Sequence, residues 1–527
     1  MTPLTRRNLL QLGALSAGTL LGTNAFAAGQ SHVTAQTRTG KIRGYTDHGV
    51  NVFKGIPYGA DTSTRRFRPA LAPAAWKGTR DALEYGPACP QQSADEATSE
   101  DCLVLNVWTP ALRDGGKRPV MVYFHGGEFS NGSGSSPLYE GVRLCRRGDV
   151  VVITVNHRLN AFGHLYLGRL GGSDYETSGN VGLLDLVLAL QWIRDHAAEF
   201  GGNPECVMVF GQSGGGAKIA TLMAMPAARG LFHRAATMSG QQITAAGPRS
   251  STLRAQAYLA ALKIAPANLD RINDLSMEEL VAATRAPDAT IVGRSLYFGP
   301  VLDQRALPRH PFYPDAPPQS ATIPMIIGNT RDETIAFLGN EPGIRNLTWQ
   351  QLPDRLLPDL HVDIDPDYVI AEYRRFYPAY SPTEVFFAAT TAGRSWRAAI
   401  IEAELRAAQG SPAFAYQLDY RSPLEGGRYG AMHTMDIALV FDNIAQPGSR
   451  TGTGADPQKT ADQMSDAFIA FARTGNPNHA SLPQWQPYEL DKRSTMVFNA
   501  ESKLVDDPRG AERKLFAQVP FIQRGTY

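Results

Sequence analysis

The sequence predicts an α/β protein built on a large, mostly parallel, twisted sheet with helices on both faces. Three observations carry this. From about residue 103 to residue 474, short apolar runs alternate with stretches of helical periodicity, the pattern of strands joined by crossover helices. Several runs end directly in Gly, Ser, His or Asn, residues suited to the crevice beyond the carboxyl ends of such strands. No internal repeat and no low-complexity linker interrupts the chain, which favours one large domain carrying helical insertions over two separable ones.

The 527 residues are enough for a large core, and 43% hydrophobic with 19% charged residues is an ordinary globular balance. The net charge is +1 and no basic stripe interleaved with aromatics is visible, so nucleic acid is not an expected partner. Residues 1 to 27 are read as a signal segment. Thr5-Arg6-Arg7-Asn8-Leu9-Leu10 is a twin-arginine pattern, a mildly apolar stretch follows, and Ala25-Phe26-Ala27 is a small-x-small cleavage site. The apolar stretch is too short and too rich in Gly and Ser for a membrane anchor. Export, to the periplasm or beyond, is therefore expected, and removal of the segment leaves 49 basic against 50 acidic residues.

An exported protein can hold disulfides. Of the four cysteines, Cys89 and Cys102 flank a polar loop and are the expected pair, worth about 3 kcal/mol. Cys145 and Cys206 lie in apolar surroundings and read as buried free thiols. The absence of a Cys-x-x-Cys pair leaves a metal or redox centre without support.

In chain order, residues 28 to 85 form a β-rich opening, with Gly40-Lys41-Ile42-Arg43-Gly44 and Val50-Asn51-Val52-Phe53 as strand segments. Leu103 to Trp108, Pro119 to Phe124 and Asp149 to Val155 are strands, the last two ending in His125-Gly126-Gly127-Glu128 and Asn156-His157-Arg158. Residues 179 to 199 place Val181, Leu184, Leu188, Trp192 and Ile193 at helical spacing. Strands at Cys206 to Phe210 and Arg234 to Met238 follow. Residues 248 to 288 are a helical insertion over one end of the sheet, Phe298 to Leu302 and Ile323 to Gly328 are strands, and residues 366 to 409 are helical again. A strand at Phe414 to Leu418 and a helix over residues 460 to 474 complete the reading.

The chemistry centres on Gly211-Gln212-Ser213-Gly214-Gly215. With 50 glycines in the chain, composition alone supplies Gly-x-Ser-x-Gly about one time in four, so its context decides. Here an apolar strand precedes it, and a helical run from Lys218 to Met225, stopped by Pro226, follows. Strand, Gly-x-Ser-x-Gly, helix is a nucleophile elbow: the flanking glycines leave room for a strained turn that lifts Ser213 above the sheet. The amide of Gly214 and the positive end of the helix then face the place where an oxyanion would form.

A serine hydroxyl needs a base beside it, and on such a sheet the order is serine, acid, histidine. Asp303, Asp332 and Glu333 all follow apolar runs, and the residues alone do not separate them. Of the histidines beyond Ser213, His233 precedes every acid and His310 crowds Asp303. His361 lies in an acidic, irregular stretch, and His479 in the turn Gly475-Asn476-Pro477-Asn478. His433, in Gly430-Ala431-Met432-His433 after the Phe414 strand, is the expected base. The turn His125-Gly126-Gly127-Glu128 is the natural source of further oxyanion donors.

These residues together resemble the type-B carboxylesterases, which include the cholinesterases. The resemblance rests on Phe200-Gly201-Gly202 with Val207-x-Val209-x-Gly211-x-Ser213-Gly214-Gly215, and on Glu100-Asp101-Cys102-Leu103 with Leu105-Asn106-Val107. It runs from about Val33 to residue 500 and takes in Gly55-Ile56-Pro57-Tyr58, Arg66-Phe67 and Gly179-Asn180-x-Gly182-Leu183-x-Asp185. It implies an α/β-hydrolase fold and a serine ester hydrolase acting on small to medium organic esters through an acyl-enzyme, with no cofactor. It also implies Glu333 as the acid, from Gly328-Asn329-Thr330-Arg331-Asp332-Glu333. It implies His433 as the base, the amides of Gly127, Glu128 and Gly214 as oxyanion donors, and a Cys89–Cys102 disulfide.

Departures from the family pattern point to this chain's own preferences. Glu128 stands for the third glycine of the oxyanion loop and Gln212 for a glutamate before the nucleophile. Thr434 and Asp436 replace a glycine and a glutamate after the histidine. No Trp lies between Tyr85 and Cys102 to seat a quaternary ammonium, so choline esters are disfavoured. An amidase or carbamate hydrolase would use the same three side chains. A non-catalytic binding protein would be expected to lack one of them.

Overall fold

A computed structural model of the chain describes residues 31–527 except 95, 292, 524 and 527. The expected signal segment lies outside the described residues. The strands are β1 (His32–Gln36), β2 (Lys41–Asp47), β3 (Val50–Pro57), β4 (Thr79–Asp81), β5 (Val104–Thr109), β6 (Arg118–Phe124) and β7 (Val151–Val155). They continue as β8 (Gly202–Gln212), β9 (Arg234–Met238), β10 (Met325–Thr330), β11 (Ala413–Leu418), β12 (Ser494–Phe498) and β13 (Lys503–Asp506). They form one sheet in the order β1-β2-β3-β5-β7-β6-β8-β9-β10-β11-β12-β13, with β4 beside β2. The run from β7 through β12 is parallel throughout. The flanking pairs are antiparallel, except that short β4 runs parallel to β2.

The parallel strands form where the sequence is continuously apolar, because helices cover both of their faces. Every residue of β7, β10 and β11 is buried. One face packs on α1 (Val181–His196) and α2 (Gly214–Leu222), with Leu183, Leu186 and Leu190 in the same core as Val120, Val122 and Val209. The other face packs on α6 (Ala455–Thr474), where Met464, Phe468 and Phe471 meet Met208, Phe210 and Tyr416. A third core lies in the helices α3 (Pro366–Phe376) and α4 (Pro382–Thr391) with residues 335 to 360. A π-helical turn, Ala392–Trp396, joins α4 to α5 (Arg397–Ala408).

Two sequence expectations are corrected. Phe298 to Leu302 is not a strand; it makes a single bridge, Ala246 to Val301. Pro300 has no N–H for a ladder, which explains why the run does not extend. The elbow helix begins at Gly214, earlier than the apolar periodicity suggests, because the helix starts in the glycines that the turn itself needs.

Buried polar groups tie these layers together. Arg158, just beyond β7, donates to both carboxylate oxygens of Asp185 on α1 at 2.7 and 2.8 Å, and both side chains are buried. On α5, Glu402 is fully buried and accepts from Thr237 of β9 at 2.8 Å. Its second oxygen has no partner among the described residues. Burial pushes the Glu402 carboxyl up to about 8, against the smaller opposing effects of Thr237 and Arg406.

The sign of the resulting pH dependence is fixed. Below about 4.5 both folded and unfolded chains hold the proton, and the contribution is fully present. As pH rises toward 8 only the unfolded chain releases it, so stability falls across that window. Glu402→Gln keeps an acceptor for Thr237 and removes the titration. Urea midpoints at pH 5, 6.5 and 8 are expected to show the variant gaining on the parent as pH rises, by up to about 1.4 kcal/mol per pH unit. Parallel curves would contradict the assignment.

Candidate active site

Ser213 connects β8 to α2 with φ 57° and ψ −128°, a backbone conformation that costs on the order of 1–3 kcal/mol for a non-glycine residue. The surroundings hold it there. Its amide donates to Met238 O of β9 at 2.8 Å, and its carbonyl accepts from Ala217 at 3.1 Å. The glycines around it are required by close approach. A Cβ on Gly215 would lie 1.9 Å from Phe124 O, and one on Gly240 1.6 Å from Ser213 O.

The turn Gly126-Gly127-Glu128 closes over the same point. Gly127 and Glu128 both have positive φ, 81° and 53°. The Glu128 carbonyl crosses so close to Gly214 that a Cβ there would sit 2.2 Å away. Among the described residues the amides of Gly127 and Glu128 donate no hydrogen bond, and the Gly214 amide opens a helix, where no intrahelical acceptor exists. Lys218 supports the turn from beneath: its buried ammonium group donates to His125 O at 3.0 Å. Burial lowers that amine to about 7, and burial also holds the stacked imidazoles of His125 and His157 well below the usual histidine value.

Glu333 sits just past β10, fully buried. One carboxylate oxygen accepts from the Thr330 amide at 2.8 Å and from Asn329 Nδ2 at 3.3 Å. The other meets His433 Nδ1 in a short contact. Burial would raise this carboxyl, but the imidazole, with smaller help from the neighbouring hydroxyl of Ser239 and the Thr330 amide, holds it below the ordinary glutamate value. Asp332 is spent elsewhere: it accepts the Ala431 amide at 2.9 Å and pairs with Arg421 at 3.2 Å, anchoring the loop that carries the histidine. Asp303 accepts from Asn180 at 2.8 Å and from the amides of Arg305 and Leu307. Of the three acids, Glu333 is the one in contact with His433.

A cavity of about 200 Å³ brings Ser213, Gly214, Glu128 and His433 together on one wall system. Gln212 Nε2 lies 3.3 Å from both imidazole nitrogens. That equal spacing places it against the ring, not on one nitrogen's lone pair. Asp436, buried behind, accepts from Tyr416 at 2.7 Å, and burial and Glu333 raise it to about 6.

Several lining residues were not legible in the sequence. Phe337, Tyr297, Arg394 and Phe521 come from four separate segments, and no local motif marks any of them. His361, set aside for its acidic and irregular surroundings, also lines the cavity. The expected Cys89–Cys102 bond is not formed: all four cysteines are free, buried thiols. The Cys89 sulfur instead accepts the Leu159 amide at 3.2 Å, and Cys102 lies beside it with its thiol raised by hydrogen bonding to Cys89 and by burial.

A serine on an elbow, a buried acid–imidazole pair at the same cavity and a turn of free amides are the parts of acyl transfer. The Carboxylesterase family model matches residues 31–517. The chain belongs to the carboxylesterase family. It is 33% identical over 504 residues to the para-nitrobenzyl esterase of Bacillus subtilis, covering 92% of this chain and 99% of that one. It is 34% identical over 489 residues to the phenmedipham hydrolase of Pseudarthrobacter oxydans, at 89% and 95% coverage. Its structure is similar to that of a Geobacillus stearothermophilus carboxylesterase, with a TM-score of 0.81, 37% identity, and coverage of 91% and 99%. This carboxylesterase-family chain is a serine-type carboxylic ester hydrolase with the α/β-hydrolase fold.

Replacing Glu333 by Gln tests the acid–imidazole pair. The amide oxygen can accept from Nδ1–H but carries no charge to stabilise an imidazolium, and its NH2 can instead favour the wrong tautomer. On a p-nitrophenyl ester kcat is expected to fall on the order of 10³–10⁴-fold with KM little changed. A loss under about tenfold would assign the role elsewhere.

Proposed function

We propose that Ser213 is the nucleophile and that hydrolysis proceeds through an acyl-enzyme. The observation that carries this is that Ser213 and His433 face one cavity while Glu333 backs the far imidazole nitrogen. His433 takes the Ser213 proton as Oγ attacks the ester carbonyl. The carbonyl π pair moves to oxygen, where the amides of Gly127, Glu128 and Gly214 receive the negative charge. Collapse breaks the bond to the alcohol, which leaves with the proton from His433. Water then repeats the sequence: His433 removes its proton, the acid is released, and Ser213 regains its hydrogen. Glu333 keeps the imidazole tautomer fixed and offsets the transient cation.

Small to medium organic esters fit a cavity of this size. Carbamates are the second reading, favoured by the similarity to a phenmedipham hydrolase. We also infer export by the twin-arginine route, supported by Arg6-Arg7 and Ala25-Phe26-Ala27.

Ser213→Ala is expected to lower kcat on p-nitrophenyl butyrate by on the order of 10³-fold or more, leaving the fold intact by circular dichroism. On the parent enzyme, kcat/KM for an aryl ester should exceed that for the matched anilide and N-methylcarbamate. Retention of most activity in the variant would remove Ser213 from the mechanism, and a carbamate preference would favour the second reading.

A further inference from the structure

Among the described residues five arginine side chains are buried, and four of them face a carboxylate. Arg66 pairs with Glu100, Arg158 with Asp185, Arg254 with Asp288 and Arg509 with Glu512. The fifth, Arg406, donates to the carbonyls of Ser320 and Ile323. Arg394, which is half-buried, differs. It stands on the π-helical turn between α4 and α5 and lines the cavity that holds Ser213 and His433. Among the described residues no carboxylate lies within ion-pair distance of it. Its guanidinium rests on the Phe337 ring, 4.1 Å from the centroid, and Phe337 in turn packs on His433 with centroids 4.9 Å apart. The cation is thus one ring removed from the imidazole. Beside it, Ser395 lines the same cavity, and its buried hydroxyl has no partner among the described residues.

The backbone is arranged to produce this. Tight packing fixes the turn, since a Cβ on Gly393 would lie 2.2 Å from Leu360 O. A single π turn inside a helix shifts the side chains that follow it, and such turns recur at functional sites. Here it turns Arg394 and Ser395 into the cavity while Trp396 stays buried. Burial, with a smaller effect of Arg294, lowers the guanidinium from its usual value, against the fields of Glu128, Glu333 and Asp359. Taking a guanidinium partly out of water without a paired anion is costly, and a planar fork of donors matches a carboxylate bidentately.

We propose that Arg394, with Ser395, is a specificity site for esters that carry a free carboxylate a few bonds from the scissile carbonyl, on either the acyl or the alcohol side. This rests on the proposed ester-hydrolase site and names its substrate class.

Two matched pairs test it: monoethyl adipate against ethyl heptanoate for the acyl side, and 4-acetoxybenzoate against methyl 4-acetoxybenzoate for the alcohol side. For at least one pair the charged-to-neutral ratio of kcat/KM is expected to fall about tenfold or more in Arg394→Gln, the loss expected for one charge-assisted contact. An unchanged ratio in both pairs overturns the proposal. A measurement on the parent enzyme stands apart from the folding of the variant. Adipate should inhibit hydrolysis of a neutral ester competitively, at least about tenfold more strongly than 1,6-hexanediol, and equal inhibition overturns the proposal. Failure of the underlying reading looks different: Ser213→Ala would then hydrolyse all four esters as the parent does.

Discussion

The site depends on how closely backbone segments approach at the carboxyl ends of adjacent parallel strands. Ser213 holds an unfavourable conformation because its amide is tied to β9 and its carbonyl to α2. That arrangement exists only where Gly215 lets Phe124 O of β6 come in and Gly240 lets β9 turn away. Replacing any of these glycines would move Ser213 relative to the Gly127–Glu128 turn, since the same few backbone atoms define both. The strain at Ser213 is thus maintained by sheet register, not by any one hydrogen bond.

The paired carboxylate and imidazole come from strands further along the sheet. β10 presents Glu333 and the loop after β11 presents His433, and β10 and β11 pair in register from Met325–Ala413 to Thr330–Leu418. Asp332 then fastens the histidine loop to the acid turn through the Ala431 amide. Thr334 ties that turn to Thr390 and Thr391 of α4. The helical insertion that supplies Arg394 is therefore joined directly to the acid–base pair. Specificity and chemistry share one support, and a shift of α4 would be felt at the imidazole through Phe337.

How much of this was legible in the sequence follows from the physics of each part. β6 to β11 read clearly because strands buried on both faces are continuous apolar runs. Exposed, three-residue β4 carries no such signal, and Phe298 to Leu302 carries a false one, apolar but broken by Pro300. Ser213 was legible because an elbow needs glycines at fixed offsets. The acid was not legible from the residues alone. Asp303, Asp332 and Glu333 differ only in what the fold gives them to bind, and two of the three are taken up by amides and neighbouring side chains. Arg394 and Phe337 were invisible, and His361 was set aside, for the same reason: their meaning lies in packing between distant segments. The cysteine pair shows the converse, since a spacing that suggests a bond is occupied by two adjacent thiols.

The central claim is that Ser213 is the residue acylated in turnover. The most direct measurement is stoichiometric labelling with an alkyl fluorophosphonate, followed by peptide mass mapping and residual-activity assay. The account predicts one adduct per chain, on the peptide containing Ser213, with label and lost activity rising together. Inactivation with the label on another residue, or full ester hydrolysis by protein labelled at Ser213, would contradict it.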